Sequence, residues 1–403
     1  MPVAETVRAP ITGAVLTWAI DVGGFSRQDL AQSIGRPGKP EVIERWEREE
    51  DEPTIRQLNA LSTKLKRPIA TFFLPSPPAE PDPATTFKRT VALEAGGFSP
   101  ELRLAIRATR YTRDRFIELL RESERDFECA IPVASVEDDP EDVAVAVRKA
   151  VGVTVTQQMK WPVDDSYRLW SEALMSAGVL PQQFEVDPSQ AWGFSITDGA
   201  MPVAAVNRKI KAKNGRVFTL WHEVGHIALR ESSVSTLSPG DSVSENKAER
   251  FCNSFAAAFL MPLGSDIVKL ATRGFDLARL DEQSVQKAAT RFRVSKYVML
   301  GRLVATGAVP NDLARSLRRE WWALDVSRDE EKLRRDRERS SENSPKIPRW
   351  KTALWDRGEI VAGTALDALA RGRTTTGAVS DLLGVGPQDL EKIERSLPRR
   401  GGE

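Results

Sequence analysis

The 403-residue chain contains only two histidines, and they lie four positions apart with a glutamate between them: His222-Glu223-Val224-Gly225-His226. Residues i and i+4 share one face of an α-helix, so this segment has to be helical if both imidazoles are to meet one ion. Two histidines placed at random fall four apart in about 0.5% of chains of this length. Requiring Glu after the first lowers the chance to on the order of 1 in 2,500, so coincidence is a poor account of the pattern. Glu223 sits about 100° round the helix from His222. From there it cannot easily share the histidines' ion, but it can reach a water beside that ion and take its proton. The plainer alternative is a pair of histidines satisfied on a helix surface.

A hydrolytic zinc site wants three protein ligands and an open fourth position. No third histidine exists, so the remaining ligand is a carboxylate or Cys252. The downstream acids are Glu231, Asp241, Glu245, Glu249 and Asp266. A helix is expected over about 245–260, with Phe251, Phe255, Ala258 and Phe259 marking its buried stripe. Glu249 lies close to that stripe and Glu245 farther out, so periodicity favours Glu249. Cys252 reads as a small packed residue.

The segments Arg216-Val-Phe-Thr-Leu-Trp-His-Glu-Val-Gly-His226, Glu249-Arg-Phe-Cys-Asn-Ser-Phe-Ala256 and Phe259-Leu-Met-Pro262 resemble the ImmA/IrrE family of zinc metallopeptidases. The resemblance spans about 190–262. It implies Glu249 as third ligand beside His222 and His226, Glu223 as catalytic base, and Asn253 as a hydrogen bonder behind the ligands. Cys252 and Trp221 depart from the small residues usual in that family and remove no catalytic group. Two apolar runs, 192–196 and 202–206, flank Thr197-Asp198-Gly199 and predict a hairpin just before the active-site helix. A substrate strand is expected to add to its edge.

The N-terminal segment reads as short helices punctuated by Gly23-Gly24, a Ser26 cap, Gly35 and a Thr54 cap. With Trp46-Glu47, Glu52-Pro-Thr54, Leu58 and Arg67–Pro75 it resembles the Xre/Cro-type helix-turn-helix, which implies a recognition helix near 38–47 docking in the DNA major groove. Arg27, Arg36, Lys39, Arg45 and Arg48 are the candidate DNA-binding residues. Residues 41–52 hold seven acids against two arginines, however, and phosphate contact normally needs a basic surplus. Docking on protein is the competing use of the same fold.

Charge and cysteine content narrow the classes further. Lys plus Arg number 58 against 57 Asp plus Glu, a net charge of +1, which excludes a broadly polyanion-coating protein. Two cysteines, Cys129 and Cys252, cannot build a disulfide framework and fit a reducing cytoplasm. No apolar run is long enough for a membrane span.

The expected fold class is mainly α with a small β-sheet (α+β). It comprises an all-helical helix-turn-helix domain over 1–78, a linker and helical connector over 79–140 and a zincin-like metallopeptidase domain over 141–265. A helical, helix-turn-helix-like region over 266–322, a charged linker over 323–351 and a C-terminal helical unit over 352–403 follow. The run 325–351 is mixed in charge and suits an exposed helix or linker.

The expected function is a cytoplasmic, Zn(2+)-dependent endopeptidase fused to a DNA-binding module, a regulator that cuts a repressor or another regulatory protein. Rival readings are a non-proteolytic zinc-binding transcriptional regulator and the antitoxin of a toxin–antitoxin pair. The partners expected are a protein substrate, duplex DNA, and a toxin or a second copy of the chain, with no membrane.

Overall fold

The computed structural model describes residues 7–80, 87, 97–124, 127–235, 246–263, 280–339 and 347–397. The chain is mainly helical with one small four-stranded sheet, an α+β fold. It divides into two compact units, one formed by residues 1–87 and 91–108 and the other by 88–90 and 109–403.

The first unit holds α1 (Gly13–Gly23), α2 (Arg27–Ser33), α3 (Glu41–Glu47) and α4 (Ile55–Leu65). Local chemistry sets their ends. The Ser26 hydroxyl accepts from Asp29 N–H at the start of α2, and Thr54 with Gln57 forms a reciprocal capping box at α4. Gly24, at φ 70°, closes α1 in a conformation costly to any residue with a Cβ. Leu16, Leu30, Ile43, Trp46, Leu58, Leu61 and Phe72 form the core between them. Helix α5 (Pro100–Glu122) starts in this unit and ends in the second.

In the second unit, α6 (Pro140–Val151), α7 (Val155–Lys160) and α8 (Ser166–Ser176) lead into the sheet. Its strands are β1 (Leu180–Phe184), β2 (Gly193–Ile196), β3 (Val203–Asn207) and β4 (Ser233–Ser235), in the order β1-β3-β2-β4. The hairpin of β2 and β3 is antiparallel, with Gly193 opposite Val206 and Ile196 opposite Val203. Its expected free edge is a correction: β1 pairs in parallel with β3, and β4 pairs antiparallel with β2, so both hairpin strands are interior. Among the described residues the outer strands of the sheet are β1 and β4.

Two helices carry the conspicuous motifs, α9 (Lys213–Ala228) and α10 (Lys247–Leu260). Helix α9 lies between the sheet and α10, and α10 packs in turn on α6. From Val217 to Ala228 every residue of α9 is buried. Trp221 stacks on Phe259 with centroids 3.5 Å apart, and Trp170 meets both rings edge-on. Helices α11 (Glu282–Arg291) and α12 (Lys296–Ala305) share this core through Val285, Phe292, Met299 and Leu303.

Helix α13 (Asn311–Arg339) carries the mixed-charge run as helix as far as Arg339. Beyond it, α14 (Arg349–Arg357), α15 (Glu359–Ala370), α16 (Thr376–Leu383) and α17 (Pro387–Ser396) bury Leu354, Val361, Val379, Leu390 and Ile393. Helix α14 rests on β1, where Gln183 Nε2 donates to Trp355 O at 3.1 Å.

Candidate metal centre

The helical spacing of His222 and His226 places their Nε2 atoms 3.2 Å apart on one face of α9. Helix α10 brings Glu249 to the same point: Oε2 lies 3.3 Å from His222 Nε2, and Oε1 lies 3.3 Å from His226 Nε2. All three side chains are buried. These three residues can hold a metal ion. Glu245, Asp241 and Asp266 lie outside the described residues. Glu231 follows α9, its backbone N–H donating to His226 O.

Asn253 sits one helical turn beyond Glu249. Its Oδ1 accepts from His222 Nδ1–H at 3.0 Å, which leaves the Nε2 lone pair of His222 facing the other two ligands. Two imidazole nitrogens and a carboxylate then converge on one point, a donor set that suits a cation. Burial opposes charge on both histidines. At His222 the pull of Glu249 outweighs it and the pKa is raised, whereas His226 is lowered. Burial also works against ionisation of Glu249, but the hydrogen bonds and charge of the histidines hold its carboxyl well below the usual range.

Glu223 belongs to a different environment. It is fully buried, and burial pushes its pKa up to about 8 against the opposing pull of the His222 charge and of the neighbouring Ser235 and Ser195 hydroxyls. Gly193 of β2 lies against it, since a Cβ there would come 2.5 Å from Glu223 Oε1 and 2.7 Å from Thr219 Cγ2. Gly193, Ser195 and Ser235 were not marked as site residues by sequence. Each is one of many Gly or Ser positions, and only the pairing of β2 with β4 gathers them at Glu223.

Helix spacing is set by another absent side chain. A Cβ on Gly225 would meet Cys252 Sγ at 3.0 Å and Cys252 Cα at 3.1 Å. Cys252 is fully buried there, with its thiol pKa raised well above the ordinary value by burial, so it packs as a small apolar residue. The three tyrosines are engaged elsewhere: Tyr111 with Asp381, Tyr297 with Asp325 at 2.7 Å, and Tyr167 toward Gln182 O at 3.5 Å.

With this geometry in view, the comparison with known families is decisive for one stretch. Residues 163–304 match the IrrE N-terminal-like domain, Peptidase_M78. The IrrE-like stretch runs from the residues preceding α8 almost to the end of α12, so it contains the whole sheet, the triad and Glu223. The match supports a metallopeptidase-like function, and a peptidase domain implies a protein substrate. No curated protein and no solved structure matches the chain.

In the first unit the candidate basic residues are mostly spoken for. Arg27 makes a two-pronged pair with Glu47 at 2.7 and 2.8 Å, Arg45 lies 3.6 Å from Asp51, and Arg48 pairs with Glu50 at 2.9 Å. Arg36 and Lys39 are exposed around the turn between α2 and α3. Among the described residues no helix is long and apolar enough to cross a membrane.

Proposed function

We propose that this chain is a zinc-dependent endopeptidase that cuts a repressor-type or other regulatory protein, with its N-terminal unit acting as an Xre-type helix-turn-helix. One observation carries the zinc reading. Ligands around a tetrahedral ion with bonds of about 2.0–2.1 Å stand roughly 3.3 Å apart. The two Nε2 atoms are 3.2 Å apart, and each lies 3.3 Å from one of the two Glu249 carboxylate oxygens, close to that spacing. Asn253 supports the arrangement by fixing the ring orientation of His222.

Zinc, when bound, supplies Lewis acidity that lowers the pKa of water and polarises a peptide carbonyl. Glu223 takes the proton of the attacking water and passes it to the leaving amine. Burial raises the pKa of this carboxylate in the metal-free site, and the charge of a bound ion would draw it back toward the ionised form that accepts the proton. The bare backbone of Gly193 leaves room for this carboxylate, since a Cβ there would come 2.5 Å from its Oε1. A substrate strand adds to the outer edge of β4, the strand that carries Ser235 beside Glu223.

A purely structural metal site would close its fourth position with a protein side chain and would need no buried base. A buried carboxylate beside the triad that is not one of its three ligands therefore favours the hydrolytic reading over the non-proteolytic one. The test is incubation of the zinc-loaded protein with repressors encoded beside it, read by mass spectrometry. A discrete cut that disappears on chelation is the expected result, and intact partners throughout would remove the peptidase reading.

A further inference from the structure

Helices α9 and α10 run antiparallel past one another: His226 meets Glu249, and His222 meets Asn253. One turn farther along the same two faces stand Phe218 and Ala257, since residues four apart share a helix face. Both line a cavity of about 480 Å³, and α12 with the starts of α6 and α13 supplies the rest of its wall. Asn253 lines it as well, so the wall includes the side chain that touches a metal ligand. The cavity thus continues the row of side chains that forms the triad. Its volume falls within the range of small-molecule sites.

The buried part of the wall is apolar, made by Phe218, Val298 and Ala314. Polar groups around it are engaged with the protein itself. Arg302 clasps Glu141 and donates to Met261 O at 2.8 Å, Tyr297 Oη donates to Asp325 at 2.7 Å, and Arg315 donates to Asp312 at 2.9 Å. Gly301, also in the wall, sits inside α12, where glycine is destabilising relative to alanine. Packing does not demand it: the nearest atom that a Cβ would meet is Arg318 Nη2, at an ordinary contact distance of 3.7 Å. What the missing side chain provides is room in the cavity.

We propose that this cavity takes a large apolar side chain of the substrate, of leucine or phenylalanine size, beside the bond that is cut. The assignment rests on the peptidase reading and adds to it the class of side chain selected. One helical turn advances about 5.4 Å, and an extended peptide advances about 3.3 Å per residue. A residue adjacent to the carbonyl held at the triad, or one beyond it, therefore reaches the cavity. A charged side chain would lose water there and find the neighbouring charges already paired.

Calorimetry on the zinc-loaded full chain with four hydroxamates tests this. Acetohydroxamate is the zinc-binding group alone. 4-Methylpentanohydroxamate and 3-phenylpropanohydroxamate add a leucine-sized and a phenylalanine-sized group, and succinic monohydroxamate adds a carboxylate. At least one apolar compound should bind at least tenfold tighter than both acetohydroxamate and succinic monohydroxamate. Gly301→Leu fills the cavity without touching a ligand. It should keep its zinc, melt no lower than the parent and bind acetohydroxamate unchanged, while losing the gain from the apolar group. Ala257→Leu fills the cavity from the facing helix and decides the question if Gly301→Leu does not fold. Failure of every hydroxamate to bind would overturn the hydrolytic reading and this assignment with it. Three outcomes would overturn the assignment alone: acetohydroxamate bound with no gain from an apolar group, a gain from the carboxylate instead, or a gain that survives both substitutions.

Discussion

His222 Nδ1 and Asn253 Oδ1 lie 3.0 Å apart, joining the helix that carries the histidines to the helix that carries the glutamate. Because the amide oxygen can only accept, the proton stays on Nδ1 and the opposite nitrogen is free for an ion. Asn253→Ala should keep the fold and lower zinc affinity about 10–100-fold. Competition against a calibrated chelator measures it; an unchanged affinity would mean that ring orientation is set elsewhere.

Glu249→Ala should abolish stoichiometric zinc binding, because two histidines would remain where three ligands are required. Glu245→Ala should retain about one zinc per chain. Metal analysis of the two purified variants separates the choices that helix periodicity left open, and zinc loss in Glu245→Ala would shift the ligand by one turn.

Glu223→Gln keeps the size of the side chain and removes its basic oxygen. Zinc content should stay near that of the parent while cleavage falls by orders of magnitude. Stability of the metal-free protein adds a second readout. The folded pKa of Glu223, raised to about 8, exceeds the unfolded value of 4.5. Stability from this group is thus full below pH 4.5 and is lost as pH rises toward 8. The gain in melting temperature from Glu223→Gln should be small in mild acid and grow to roughly several degrees near pH 8. A gain independent of pH would contradict burial as the source of the shift.

Gly193→Ala places a methyl group 2.5 Å from the Glu223 carboxylate by ideal geometry. The base must turn away, so cleavage should fall at least tenfold with zinc binding retained. Parallel measurement of turnover and metal content distinguishes this from unfolding, and full turnover would show that β2 yields to the methyl.

The pairs Arg27–Glu47, Arg45–Asp51 and Arg48–Glu50 leave few cations available for phosphates. Duplex DNA should therefore bind weakly or only to a dimer, with a shallow dependence on salt. A steep slope for a tightly bound monomer, or no binding at low salt, would each contradict that expectation.

What could be read from the sequence followed from local signals. The paired histidines, the apolar stripe of α10 and the Thr197-Asp198-Gly199 turn announce two helices and a hairpin within a residue or two of where they lie. Strand β1 was hidden because Leu-Pro-Gln-Gln-Phe contains a proline and two adjacent polar residues. Strand β4 was hidden because Ser-Val-Ser offers a single apolar side chain. Without those strands the hairpin seemed open, and the small residues around Glu223 had no reason to stand out. The contacts of Gly193 and Gly225 belong to pairs of elements, and no window of sequence contains both members.

The far end of α10 is held by residues distant in sequence. Gln158 Nε2 donates to Leu260 O at 2.9 Å and to Phe292 O at 2.8 Å, and Arg302 Nε donates to Met261 O at 2.8 Å while its guanidinium clasps Glu141. A shorter piece limited to α9 and α10 would surrender every one of these donors and strand carbonyls that have no water to turn to. These bonds tie the ligand-bearing helix to a span reaching from Glu141 to Arg302. Gene rearrangement that moves this chemistry into new company has to move at least that span with it.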